Sequence, residues 1–150
     1  MSVDPAPPDQ PAFVDTNIIV YALAGDDLIR SIPAAALLDK LMVPGRFRTS
    51  TQVLQELYVT LTRKGAMRGS ERIVTAMDWL AKWPVVVTDY PMIRRAVELS
   101  TRHQLSFWDS LIVEAAVASR ASILYTEDLQ HGREIRGLKI VNPFHETAIN

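Results

Sequence analysis

The chain has 150 residues, 48% of them hydrophobic, with 16 Lys and Arg against 17 Asp and Glu and a formal net charge of -1. That length supports one sizeable core and is short for two; the balanced charge excludes a basic coat and an acidic disordered tail, so any contact with nucleic acid must be a local patch. The lack of cysteine removes disulfides, thiolate metal sites and cysteine nucleophiles together and suits a reducing compartment, leaving carboxylate, hydroxyl and imidazole chemistry.

Residues 1–11 are expected to form a disordered proline-rich tail, because Pro5, Pro7, Pro8 and Pro11 supply no backbone donors and little there can be buried. They place prolines and acids where a secretory leader needs basic residues followed by an apolar stretch. Every later apolar run is interrupted too early to span a bilayer, so a cytoplasmic location without a membrane anchor is expected. Residues 12–150 are expected to form a single domain.

Ala12-Phe13-Val14 is a short apolar run ending at Asp15-Thr16-Asn17, and a helical pattern follows from Ile18 until Gly25-Asp26-Asp27. A second helix is predicted over Ala34 to Leu41. Arg46-Phe47-Arg48 leads into Thr49-Ser50-Thr51-Gln52, where Thr49 and Gln52 have capping-box spacing and Leu54, Leu57, Tyr58 and Leu61 then share a helical face. Glu71 to Trp83 reads as helix, Pro84 to Val87 as a buried strand, and Asp89 as the cap of a helix running toward Gln104. Ser106 and Asp109 again have capping-box spacing before the apolar helix Leu111 to Val117. Ser122 to Tyr125 and Leu138 to Val141 are two further short strands. β-branched runs alternating with helices argue for a central parallel sheet in a three-layer α/β/α domain, since parallel strands need crossover helices.

In such sheets the loops at the carboxyl ends of the strands share one edge, where ligands bind. Asp15 and Asp128 fall at strand ends; Glu56 and Asp109 lie near the starts of helices. Were these corners to converge, four carboxylates would face one small volume, each raising the pKa of the others, and a cation would be needed among them. All-oxygen ligation suits hard Mg²⁺ or Mn²⁺ rather than zinc and leaves room for water and a substrate phosphate, which is the chemistry of phosphodiester hydrolysis. Whether one ion or two would bind stays open. Each acid alone also has a structural reading: Asp15 or Asp109 as a helix cap, Asp128 in an Asx turn, Glu56 on a solvated helix flank.

The stretches Phe13-Val14-Asp15-Thr16-Asn17-Ile18, Gln52 to Leu61 around Glu56, Leu105 to Ile112 around Asp109, and Leu124-Tyr125-Thr126-Glu127-Asp128 resemble, in order, the four acidic motifs of PIN domains, across Ala12 to Pro143. The resemblance implies that Asp15, Glu56, Asp109 and Asp128 are the catalytic metal ligands, directly or through water, with Asn17, Thr126 and Ser106 supporting them. It further implies an Mg²⁺- or Mn²⁺-dependent endoribonuclease of the VapC toxin type, a homodimer inhibited by a small antitoxin protein. A housekeeping RNA-processing nuclease and a non-catalytic PIN-like module that binds RNA or protein are the alternatives. A dehalogenase-like phosphatase would want a second Asp two residues after the first, where this chain has Asn17.

Arg46, Arg48, Arg63, Lys64, Arg68 and Arg72 form the densest basic stretch, which reads first as a solvated helix face and, by a small margin second, as a set of cations that with Arg133 and Arg136 could hold an RNA backbone. His103, His131 and His145 are dispersed and expected at the surface or in loops; Trp79, Trp83 and Trp108 are expected in the core or a subunit interface. Glu114, which interrupts an apolar helix, reads first as a surface residue, then as an interface contact or a further support for the metal site.

Overall fold

The computed structural model describes residues 10–65 and 69–145. In chain order the elements are β1 (Ala12–Val14), α1 (Thr16–Ala24), α2 (Leu28–Leu41), β2 (Phe47–Ser50), α3 (Thr51–Lys64), α4 (Ser70–Leu80), β3 (Val85–Val86), α5 (Tyr90–His103), α6 (Phe107–Ala118), β4 (Ile123–Tyr125), β5 (Glu134–Ile135) and β6 (Leu138–Val141). The sheet order is β3-β2-β1-β4-β6-β5, parallel throughout except for the β5–β6 pair.

That order explains the layers. From β1 to β2 to β3 the chain steps outward in one direction, and right-handed crossovers keep the intervening helices on a single face. Between β3 and β4 it returns past β1 to the other side, so the next pair of helices covers the opposite face. Accordingly α1 packs on α2 and α3, and α4 on α3, while α5 packs on α6, which lies against β2, β4 and β6. The result is the α/β/α sandwich expected from the alternating pattern. The reversal falls between β1 and β4, where Ala12 pairs with Ile123 and Val14 with Tyr125, and the crevice beyond the carboxyl ends of such neighbouring strands is where open α/β sheets bind ligands.

β1 and β4 are wholly buried, with Phe13, Val14, Leu124 and Tyr125 packed between the layers beside Leu37, Leu57 and Leu61. Fully burying an apolar side chain of this size contributes about 1.5–3 kcal/mol each. The two central strands are therefore the most strongly anchored part of the frame that carries the acids.

Several local expectations change. Gln10 and Pro11, expected within the tail, are held: the Gln10 carbonyl accepts from Arg46 Nε at 3.2 Å, and the Pro11 carbonyl accepts from Ser122 N at 3.0 Å. Residues 1–9 lie outside the described residues. α2 starts at Leu28 rather than Ala34, because Asp27 caps it by accepting from Arg30 N, and Pro33 is tolerated inside it. The cap of α3 is Ser50, whose hydroxyl accepts from Val53 N at 3.3 Å; Thr49 is the third residue of β2. Pro84 to Val87 contributes only the half-buried Val85–Val86 at the sheet edge, with Val87 exposed. Asp89 caps α5 as expected, accepting from Met92 N at 3.0 Å. Trp108 is 63% exposed and so is no core residue, whereas Trp83 is half-buried with its Nε1 donating to the Val43 carbonyl. Among the described residues no helix is long and apolar enough to cross a membrane.

Candidate active site

Asp15 follows the last residue of β1, and its two carboxylate oxygens are both engaged. Oδ1 accepts from Thr16 N at 2.7 Å, capping α1, and Oδ2 accepts from the Thr126 hydroxyl at the end of β4, at 2.8 Å. The cap and ligand readings of Asp15 are thus compatible: one oxygen starts a helix while the carboxylate as a whole faces the crevice. Thr126 Oγ1 also accepts from Asp128 N at 3.1 Å, which turns the chain after β4. Asn17 then reaches across from α1 and donates through Nδ2 to Asp128 Oδ2 at 2.9 Å. From α3, Glu56 Oε1 accepts from the Thr16 hydroxyl at 3.2 Å. Thr16 therefore grips two acids at once, through its N–H and its hydroxyl. It was passed over in the sequence although it stands inside the Asp15-Thr16-Asn17 corner.

A cleft of about 280 Å³ opens here, lined by Asp15, Asn17 and Thr16 from the first corner, Glu56, Thr60 and Lys64 from α3, and Asp128 from the loop after β4. Asp109 is not among its lining residues, yet its charge acts on both Glu56 and Asp128. Ser106 accepts from Asp109 N at 3.0 Å and caps α6; it orients the start of that helix rather than touching an acid side chain.

The electrostatics are those of crowded, desolvated carboxylates. Asp15 is 5% exposed, and burial, reinforced by the charges of Asp128 and Glu56, pushes its pKa up to about 7 against the pull of its two hydrogen bonds. Burial likewise raises Glu56, opposed by bonds from Thr16 and Gln52 and reinforced by Asp109 and Asp128. Asp128 is raised by burial and then by Asp109 and Glu127, against its bond from Asn17. Positive charge placed among Asp15, Glu56 and Asp128 would oppose these shifts and favour the ionised forms.

Among the described residues no three His, Asp or Glu side chains form a ready-made metal cage. The donors suit an ion that keeps much of its water. They are all oxygen, and Asn17 Oδ1 is buried in the cleft lining with no hydrogen-bond partner, an acceptor of the kind a hydrated hard cation takes up. Mg²⁺ or Mn²⁺ held by one or two carboxylates, its own waters and a substrate phosphate fits this set better than zinc, which seeks His or Cys.

The basic candidates separate. Lys64 lines the cleft. Arg63 is exposed in the last turn of α3. Arg46 and Arg48 are not brought to the site: they flank the start of β2, the opposite end of the sheet from Asp15, where Arg46 is buried against the Gln10 carbonyl and Arg48 donates to the carbonyls of Gly45, Phe47 and Ser119. Arg133 stands 3.4 Å from His103 Nδ1. Arg68 lies outside the described residues. Glu114 is 2% exposed, which overturns its surface reading; its oxygens accept from Arg136 Nε and Nη2, both at 3.1 Å, with Arg95 Nε at 3.4 Å.

A second network beside the cleft had no sequence signal. The Tyr21 hydroxyl donates to Glu127 Oε1, and Arg30 Nε donates to Glu127 Oε2 at 3.2 Å while lying over the Tyr21 and Phe144 rings. Glu127 is thereby held by partners of its own, next to Asp128.

The sequence matches the PIN domain family over residues 12–133, and the chain belongs to that family. The fold recurs in a toxin–antitoxin complex from Klebsiella pneumoniae, 22% identical, with a TM-score of 0.65 and coverage of 88% of this chain and 97% of that one. It recurs in the sarcin-ricin loop cleaving toxin VapC20 of Mycobacterium tuberculosis, 22% identical, TM-score 0.64, over 78% of this chain and 91% of that one. VapBC2 from Rickettsia felis, bound to a promoter DNA fragment, is 21% identical with a TM-score of 0.62, over 86% and 96%. At these identities the likeness is one of fold. Among curated proteins no sequence matches significantly.

Proposed function

We propose that this protein is a metal-dependent endoribonuclease that hydrolyses RNA phosphodiester bonds, acting as the toxin of a type II toxin–antitoxin pair. The observation that carries the reading is the convergence of Asp15, Glu56 and Asp128 on one cleft at the reversal point of the sheet, with the charge of Asp109 acting on the same group. Crowding of this kind is unfavourable in isolation and favourable around a hard cation. When bound, Mg²⁺ or Mn²⁺ offsets the negative charge that builds on the phosphate and makes water more acidic.

The side chains of this chain do the remaining work. Asp15 is oriented by Thr126, Glu56 by Thr16 and Asp128 by Asn17, so each carboxylate would be presented to the ion by a hydrogen-bond partner of its own. In the hydrolysis a water oxygen adds to phosphorus and the bond to the leaving ribose oxygen breaks. Among the described residues no imidazole lines the cleft, so the proton leaving the water passes to a cluster carboxylate or to solvent, and the departing ribose oxygen takes up a proton from solvent to leave as a hydroxyl. The toxin role is supported by similar folds in a toxin–antitoxin complex, a sarcin-ricin loop cleaving toxin and a VapBC pair on promoter DNA. An antitoxin protein as partner, a homodimer as the working unit and the cytoplasm as the setting belong to the same reading.

The test is cleavage of total RNA by purified protein freed of any co-purifying partner, with Mn²⁺, with EDTA, and with the Asp15→Asn variant. Cutting that needs both the metal and Asp15 is the expected result. A folded protein that leaves all RNA intact with Mn²⁺ would point instead to a binding module.

A further inference from the structure

The cleft at the acids continues as a groove between α1 and α3. Glu56, Thr60 and Lys64 all line it, and their four-residue spacing puts them on one face of α3, spread over roughly 12 Å at ~1.5 Å per residue. The other wall is Asn17, Val20 and Tyr21 from α1. Both helices begin at the acid end, capped by Asp15 and Ser50, so the groove runs from the acids toward their carboxyl ends. There Gly25, in the left-handed conformation with φ of 67°, ends α1, and the next residue bridges to α3: Asp26 Oδ2 accepts from Lys64 Nζ at 3.1 Å.

Lys64 is the only cationic side chain lining the groove among the described residues. Its ion pair is open to water, with 38% of the Lys64 and 53% of the Asp26 side chain exposed. Exposed pairs of this kind contribute little to stability, so exchanging Asp26 for another anion costs little. A nucleic-acid strand leaving the acids along α3 meets Thr60, a hydroxyl donor, and then this ammonium.

We propose that the far end of the α1–α3 groove is a second phosphate subsite, in which Lys64 gives up Asp26 and takes a backbone phosphate neighbouring the one that is cut. The inference rests on the ribonuclease reading and deepens it by giving the strand a direction along α3, with Thr60 between the two phosphates. Asp26 then competes with the substrate for Lys64.

The experiment measures binding of a fluorescein-labelled, random-sequence, short single-stranded RNA by anisotropy over a range of salt, with Mn²⁺ present. Asp15→Asn serves as the common background so that the strand is not cut. Lys64→Ala is expected to weaken binding several-fold and make the salt dependence shallower by about 0.7, the share of one neutralised phosphate on a single strand. Lys64→Arg should restore both, and Asp26→Asn should tighten binding. The opposite signs at Lys64 and Asp26 are the signature, since loss of a merely structural ion pair would move both variants the same way. Unchanged affinity and salt slope in Lys64→Ala, or weaker binding in both variants, overturns the subsite. If that happens while the unmodified protein cuts RNA, the subsite alone fails; if the Asp15→Asn protein binds no RNA and the unmodified protein cuts none, the ribonuclease reading fails with it.

Discussion

Asp15 shows how one side chain ties stability to function. Its carboxyl has an ordinary pKa of 3.8 when the chain is unfolded and about 7 in the fold, chiefly because burial penalises the charge. Between those values the folded protein keeps a proton that the unfolded chain has released. The contribution is therefore intact below about pH 4 and is lost as the pH rises through about 7, an effect on the order of a few kcal/mol at about 1.4 kcal/mol per unit. Glu56 and Asp128 are raised too and act in the same direction. In EDTA the melting temperature should accordingly fall between pH 4 and pH 7. Asp15→Asn, which keeps the shape and an oxygen for Thr16 N, should flatten that fall and melt higher than the parent at pH 8. A variant that melts lower than the parent at pH 8 in EDTA would mark Asp15 as a structural cap first.

Among the elements, α6 and the β5–β6 turn are joined by the Glu114 ion pair, and its two sides are unequal. The carboxylate is buried, whereas 42% of the Arg136 side chain and 47% of that of Arg95 remain in water. Arg136→Met leaves a buried charge short of partners and should cost about 3–5 kcal/mol. Glu114→Met releases two guanidiniums that can hydrate and should cost less, about 1–3 kcal/mol for the lost charged hydrogen bonds. Urea denaturation of the two variants checks the order, and a larger loss at Glu114 would mean that the arginines cannot reach water. This pair also shows where sequence reading stops. Arg95 lies on α5 and Arg136 in the turn between β5 and β6, so no local pattern around Glu114 announces either partner. β5 was missed for the same reason: Glu134–Ile135 is strand only by virtue of its pairing with β6. By contrast, the corners after β1 and β4 were legible, because an apolar run stopped by a polar cluster is a local signal. The cap of α3 was misplaced by one residue, as Thr49 and Ser50 both carry a hydroxyl and only the course of β2 chooses between them.

At the scale of the whole molecule, the site is assembled by the reversal of the sheet, which sets β1 beside β4 although more than a hundred residues of chain separate Asp15 from Asp128. The alternation of strands and helices made the layers readable. It did not state the strand order, and so could not show that Arg46 and Arg48 lie at the end away from the acids. Unfolding the protein dismantles this site, so binding of a cation there should stabilise the fold as a unit. With the carboxyl pKa values raised, millimolar Mn²⁺ should lift the melting temperature markedly at pH 8 and scarcely at pH 5.5, and Asp15→Asn should lose most of the gain. An equal lift at both pH values would place the ion elsewhere. The margins of the same sheet have a different consequence. Both edge strands, β3 and β5, are only two residues long, and a strand that short offers almost no unpaired backbone for another chain to extend. Growth of the sheet from copy to copy, the route to fibrous aggregates, is thereby disfavoured at both edges.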